Sequence, residues 1–223
     1  MRLNKKMLAV AAVLAMGILA GCGAFGAGST ASSTVVFTGA VQPNKQVPLE
    51  DIETGTYKFA ANITAVKDGQ VTLDVCSYDI YEKALIDKLK VGDLLNTHLD
   101  GADKAQDITV ESIERDKENG FVSINGGVEQ GGVDLRLEND FYRTFTMDDY
   151  PVYYKLGELT MPLADNVTIE DSSADPQAST VESDGAAAVE AAFNADPDYW
   201  ICNNTTVFTE DGKVSSIVRI WVP

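Results

Sequence analysis

Cysteine and histidine are scarce in this chain, with three of one and a single copy of the other. No Cys-x-x-Cys spacing occurs, and His98 has no second imidazole near it, so zinc and haem ligation lack the ligands they need. Basic residues are few as well. Seventeen Lys and Arg stand against 34 Asp and Glu, and three of the bases (Arg2, Lys5 and Lys6) fall in the first 21 residues, which hold no acid. The remainder carries 14 bases and 34 acids, a formal charge of −20. Such a surface repels polyphosphate, which argues against nucleic acid as a partner, and it repels anionic headgroups too. A solvated acidic face is the simpler reading beside weak cation binding. The catalytic signatures are also missing. There is no Gly-x-Ser-x-Gly elbow, no His-Glu-x-x-His pair and no Cys/His nucleophile arrangement. Gly126-Gly127 and Gly131-Gly132 are followed by no Lys-Ser/Thr, which leaves them as turns or bulges rather than a phosphate loop. No cofactor or metal is implied.

What the chain does have begins at its start. The basic residues precede an apolar run, Met7 to Ala20, of 14 residues, the length of a signal-peptide core and short for a membrane span. Small residues follow at Ala20 and Gly21, as a secretory signal over residues 1–21 requires. The tetrapeptide Leu19-Ala20-Gly21-Cys22 resembles the lipobox of bacterial lipoproteins. That resemblance implies a diacylglyceryl group on the Cys22 thiol and cleavage before it. The protein would then be held to the cell membrane by a lipid anchor, facing outside the cytoplasm. An uncleaved N-terminal anchor is the alternative, since no charge lies between Lys6 and Lys45; Gly17, Gly21, Gly23 and Gly26 weaken it as a helix. Residues 22–47, rich in Gly, Ala, Ser and Thr, read as a flexible tether, with Val35-Val36-Phe37 able to dock as a short strand.

Residues 48–223 are long enough to bury a real core, and their patterning predicts a mainly β domain, barrel-like or hairpin-built, with one or two short helices. Three β-rich pairs flank tight-turn residues: Tyr57–Val66 and Val71–Ser77 around Asp68-Gly69, Ile108–Arg115 and Phe121–Asn125 around Asn119-Gly120, and Thr205–Thr209 and Val214–Val222 around Asp211-Gly212. Ile80, Tyr81, Ala84, Leu85 and Leu89 follow helical spacing, which predicts a helix of about ten residues capped by Asp79 and closing a barrel end. Residues 171–184 read as a mobile acidic loop or insertion, and GAAAVEAAF after them as two helical turns with Asp184 as cap. Ser216 to Val222 is apolar on both faces, as a central strand is. The stretch from Leu89 to Gly127 is similar in rhythm to small closed β-barrels. The whole resembles exported β-domains of gut-type bacteria that end in a hairpin with a terminal Val-Pro. That likeness implies no activity.

Two cysteines remain if Cys22 is acylated. Alternation puts Cys76 with Thr72, Asp74 and Tyr78, and Cys202 with Trp200 and Phe208. The differing faces favour two inert thiols over a disulfide and leave the pairing open. The densest chemistry lies in residues 139–158, NDFYRTFTMDDYPVYYKLGE. Tyr142, Arg143, Asp148, Asp149, Tyr150, Tyr153 and Tyr154, with Trp200, are the candidate ligand-binding residues. Rings that stack on sugar C–H faces beside hydroxyl-accepting acids suit a glycan; the same residues also close β-domain cores. Asp148 and Asp149 are adjacent and point to opposite faces of a strand, so they do not form a glycosidase pair by themselves, and Asp140 or Glu129 would have to complete one. The reading that follows is a non-catalytic extracytoplasmic binding or interaction module, with a glycan or envelope protein as its partner. A hydrolase of cell-surface polymers and a structural envelope protein are the alternatives.

Overall fold

The computed structural model describes residues 39–175, 177 and 179–222. The signal segment, Cys22 and Val35-Val36-Phe37 lie outside the described residues. In chain order, helix α1 (Leu49–Thr54) leads into strands β1 (Lys58–Lys67) and β2 (Gln70–Ser77). A block of short elements follows: β3 (Ile80–Glu82), α2 (Lys83–Ile86), β4 (Leu94–Thr97), β5 (Gln106–Thr109), β6 (Ile113–Asp116), β7 (Phe121–Ile124), β8 (Val133–Glu138) and β9 (Phe141–Phe145). The chain then runs through β10 (Tyr154–Ser172), β11 (Val181–Asp184), α3 (Ala186–Ala195), β12 (Thr205–Glu210) and β13 (Lys213–Ile220). The protein is mainly β, as the patterning predicts.

Five strands close into a barrel in the order β1-β2-β10-β13-β12, with β12 returning to β1. The hairpins β1–β2 and β12–β13 turn on Asp68-Gly69 and Asp211-Gly212, whose φ values of 53°, 73°, 50° and 74° are those a two-residue turn needs. Closure depends on β10. Tyr154–Pro162 pair antiparallel with β2, and Leu163 and Thr168–Ser172 pair parallel with β13. Register slips between Lys155 and Gly157 and between Leu163 and Thr168 bend this 19-residue strand around the ring. β13 is therefore central, as its two apolar faces predict.

Alternate residues of each strand fill the barrel: Ala61 and Ile63, Leu73 and Val75, Met161 and Ile169, Val207 and Ile217 are all buried. Ile52 of α1 and Val189 and Phe193 of α3 join this core, and Trp200 lies within it, its ring 5.9 Å from that of Phe193.

The block between β2 and β10 builds a second core. The antiparallel order β3-β9-β8-β7-β6 is completed by the β4–β5 hairpin, and Tyr81, Leu95, Ile124 and Leu135 are buried inside it.

Several expectations need correction. No ten-residue helix starts at Asp79. Ile80–Glu82 pair with β9, which leaves only the short α2. Tyr81 decides this: its ring is buried in the second core and its hydroxyl donates to the Asn96 carbonyl at 2.8 Å, so the backbone stays extended. The barrel end is covered instead by α1 and α3. Ile108–Arg115 is not one strand; its first part pairs with β4 and its last with β7. Residues 171–184 are not wholly loop, because β10 continues to Ser172 and β11 pairs back onto it. Asp184 ends β11, and α3 starts from Gly185 without a side-chain cap. The folded part also begins before residue 48: Val41 is buried, and its N–H and carbonyl bond to Leu94 and Asn96 at 2.8 and 2.9 Å. The paired glycines do form turns, around a 3-10 segment at Val128–Gln130.

Candidate functional site

The residues singled out in the sequence go to three places. Tyr142 and Arg143 sit on β9, buried against the second core. The Arg143 guanidinium donates from Nε to Glu138 Oε1 at 2.6 Å and from Nη2 to the Asp149 carbonyl at 3.2 Å. Asp149, at a positive φ of 65°, belongs to a tight turn in which Thr146 N–H donates to the Tyr150 carbonyl at 2.7 Å. Its carboxylate is also paired with Arg136. Asp148 is exposed on the same turn and Tyr150 half-buried. Two arginines thus hold Asp149 as a structural anion. Asp140 and Glu129 are exposed elsewhere.

Trp200 is only 1% exposed and packs in the barrel core, with the Arg219 guanidinium 4.0 Å from its ring centre. Arg219 donates to Asp171 at 2.7 Å. Burial removes Trp200 from any surface a ligand could reach, and the sequence offered no sign of this beyond its aromatic character.

Tyr153 and Tyr154 lie at the start of β10, where the barrel meets the second core. Here the start of β1, the end of β2 and the segment leading into α1 enclose a cleft of about 350 Å³. Tyr57, Phe59, Tyr78 and Tyr153 line it, and Tyr78 meets Tyr153 edge to face, 5.5 Å between centroids and 86° between planes. Gln46 supplies a polar group at the wall; its side-chain carbonyl accepts from Ser77 Oγ at 2.5 Å. Burial, followed by the neighbouring Tyr78, pushes the Tyr153 phenol well above its ordinary range, so it is a neutral hydroxyl at any physiological pH. The cleft can therefore offer ring faces, phenolic hydroxyls and an amide, and no fixed charge except Lys58.

Beside the cleft stands an arrangement that sequence reasoning missed. Asp79 is fully buried and accepts from the His98 backbone N–H at 2.7 Å, from Thr97 Oγ1 at 3.2 Å and from His98 Nδ1 at 3.1 Å. The imidazole stacks on Tyr154. Burial, followed by the charge of Asp79, pushes the Tyr154 phenol up to about 12. A carboxylate facing Nδ1 sets the tautomer that leaves the lone pair on Nε2. Among the described residues Nε2 takes no hydrogen bond, so no nucleophile completes a triad. Histidine's scarcity hid the pair, because its partner is distant in sequence.

Cys76 lines the cleft, and both it and Cys202 are free thiols. Among the described residues no three His, Cys, Asp or Glu side chains gather as metal ligands do, and no helix is long and apolar enough to cross a membrane.

No family model, curated protein or solved structure matches the chain. The connectivity still defines a class: a five-stranded Greek-key barrel with one parallel pair, β10 with β13, and a helix between its third and fourth strands. The OB-fold is a barrel of this kind. Connectivity alone carries no activity.

Proposed function

We propose that this chain is a lipid-anchored, extracytoplasmic binding module without catalytic activity, and that its ligand site is the tyrosine-lined cleft where β1, β2 and β10 meet. The anchoring half of the reading rests on Leu19-Ala20-Gly21-Cys22 and the apolar run before it. The binding half rests on one observation: four aromatic rings converge on a cleft of about 350 Å³ that also presents an amide and hydroxyl groups. Ligand sites typically span roughly 300–1,000 Å³, with apolar walls and a few placed polar groups. This volume suits a single ring-sized ligand. A neutral sugar residue is the class that fits best, since its C–H face stacks on tyrosine while its hydroxyls bond to Gln46 and the phenols. The acidic surface disfavours anionic ligands.

The rival hydrolase reading has less support. Asp149 is occupied by Arg136 and Arg143, and it shares its turn with Asp148 rather than facing it across a groove.

A panel of neutral and acidic glycans tests the proposal. Binding should be confined to neutral sugars, and Tyr78→Ala or Tyr153→Ala should weaken it at least about tenfold, the loss expected of one stacking contact. Binding that survives both substitutions, or no binding to any neutral glycan, removes the cleft as the site.

A further inference from the structure

We propose that Cys76 and Cys202 form a reversible dithiol–disulfide site that joins strand β2 to the connection ahead of β12. The inference does not depend on what the cleft binds. Cys76 sits opposite Ala60, and Asn62 sits opposite Asp74, so the Cys76 and Asn62 side chains share the outer face of the β1–β2 pair. The Asn62 side chain holds the other cysteine in place, with Cys202 N–H donating to its Oδ1 at 2.7 Å. One step earlier, the Ile63 N–H donates to the Trp200 carbonyl at 2.9 Å. Two hydrogen bonds therefore clamp residues 200–202 onto β1 beside Cys76, and Trp200, buried in the core, pins the segment from its other side. The Cys76 thiol donates to the Asp74 carbonyl at 3.4 Å and the Cys202 thiol to Asn203 Oδ1 at 3.8 Å.

The pair is also asymmetric. The neighbouring Cys76 thiol, with backbone N–H groups at Cys202 and Asn203, draws the Cys202 thiol down, whereas Cys202 and burial push Cys76 up. Cys202 is half-buried and Cys76 is buried. The more readily ionised, half-buried sulfur of Cys202 beside the sheltered one of Cys76 fixes the order of events.

The oxidant is a small disulfide of the oxidised-glutathione class. Cys202 thiolate attacks one of its sulfurs; that S–S bond breaks, and the departing thiolate takes a proton from water. A mixed disulfide now sits on Cys202. Cys76 gives up its proton and attacks the Cys202 sulfur, forming the Cys76–Cys202 bond and expelling the second small thiol. Two protein thiols are oxidised by two electrons, and one small disulfide becomes two thiols. The new bond closes a long loop and staples the barrel seam below Tyr153.

The test uses the full chain, exposed to oxidised glutathione, alkylated and digested without reduction. The expected product is a linked peptide pair carrying Cys76 and Cys202, released by dithiothreitol, with a Tm raised by roughly 5–10 °C over the reduced chain. Cys76→Ser should stop the reaction at a glutathione adduct on Cys202. Cys202→Ser should slow adduct formation at Cys76 at least about tenfold relative to Cys202 in Cys76→Ser, from the lost thiolate and the lost access. Recovery of both residues fully alkylated from the wild-type chain, or of stable adducts on each without linkage, overturns the proposal. The wild-type mapping decides this even if a serine variant fails to fold.

Discussion

The His98 imidazole lies flat on the Tyr154 ring, 3.5 Å between centroids and 14° from parallel, while its Nδ1 faces the buried carboxylate of Asp79. The stack joins the two cores, because Tyr154 opens the barrel strand β10 and His98 follows β4 of the inserted block. Asp79 is the anchor on which both depend. Replacing it by Ala leaves the His98 N–H and the ring nitrogen facing an empty space, each an unmet polar group costing about 1–3 kcal/mol where it is buried, and leaves Thr97 Oγ1 only the His98 carbonyl at 3.3 Å. Asp79→Ala should thus destabilise the fold by about 3 kcal/mol in urea titration, and Asp79→Asn, which keeps an acceptor oxygen, by less. Equal loss from both variants would show that charge, not acceptance, is what matters there.

Alkaline pH should unfold the protein through its tyrosines. The Tyr154 phenol ionises at about 12 in the fold against an ordinary 10, and burial raises Tyr81 and Tyr153 as well. The folded chain therefore holds these protons more tightly than the unfolded one. Stability is fully present below pH 10 and is lost progressively as pH climbs from 10 towards 12. Tyr154→Phe should flatten this decline, seen as a smaller fall in Tm across that window. An unchanged slope would place the alkaline sensitivity elsewhere.

The proposed anchor has its own test. Each buried methylene of an acyl chain contributes about 0.8 kcal/mol, and two chains together give stable membrane attachment. Cys22→Ser removes the only thiol in the first 75 residues and with it the proposed attachment point. The variant should leave the lipid-extracted fraction and lose the acyl mass expected on the wild-type chain. Wild-type chain with no added mass at Cys22 would end the lipoprotein reading.

Much of the barrel was legible because its hairpins are local. Asp68-Gly69 and Asp211-Gly212 announce their turns, and alternation on either side gives the faces. β10 was not legible. Its neighbours β2 and β13 are remote in sequence, and its aromatic and acidic residues show no single period because the strand changes partners and slips register along its length. The helix expected at Asp79 failed for a related reason. Ile80, Tyr81, Ala84 and Leu85 do fit helical spacing, but burial of Tyr81 and the pull of His98 and Thr97 on Asp79 are tertiary forces that periodicity does not carry. The cleft was half legible: Tyr153 stood out, whereas Tyr57, Phe59 and Tyr78 became its partners only through barrel closure.

Trp200 shows most directly how an aromatic residue can suggest a ligand and serve the core instead. Its indole is buried among Phe193 and the barrel strands, and Arg219 lies over its face. The indole N–H has no hydrogen-bond partner among the described residues, so the ring contributes through volume and its π face rather than its donor. Trp200→Ala should therefore cost about 3–5 kcal/mol, the range for emptying a large aromatic site. Trp200→Phe keeps a face for Arg219 and removes an unpaired donor, so it should cost no more than about 2 kcal/mol, less than a typical large-to-small core change. Chemical denaturation of the two variants measures both values. A phenylalanine variant as unstable as the alanine one would mean that the indole nitrogen is bonded after all, and the account of this core would have to change.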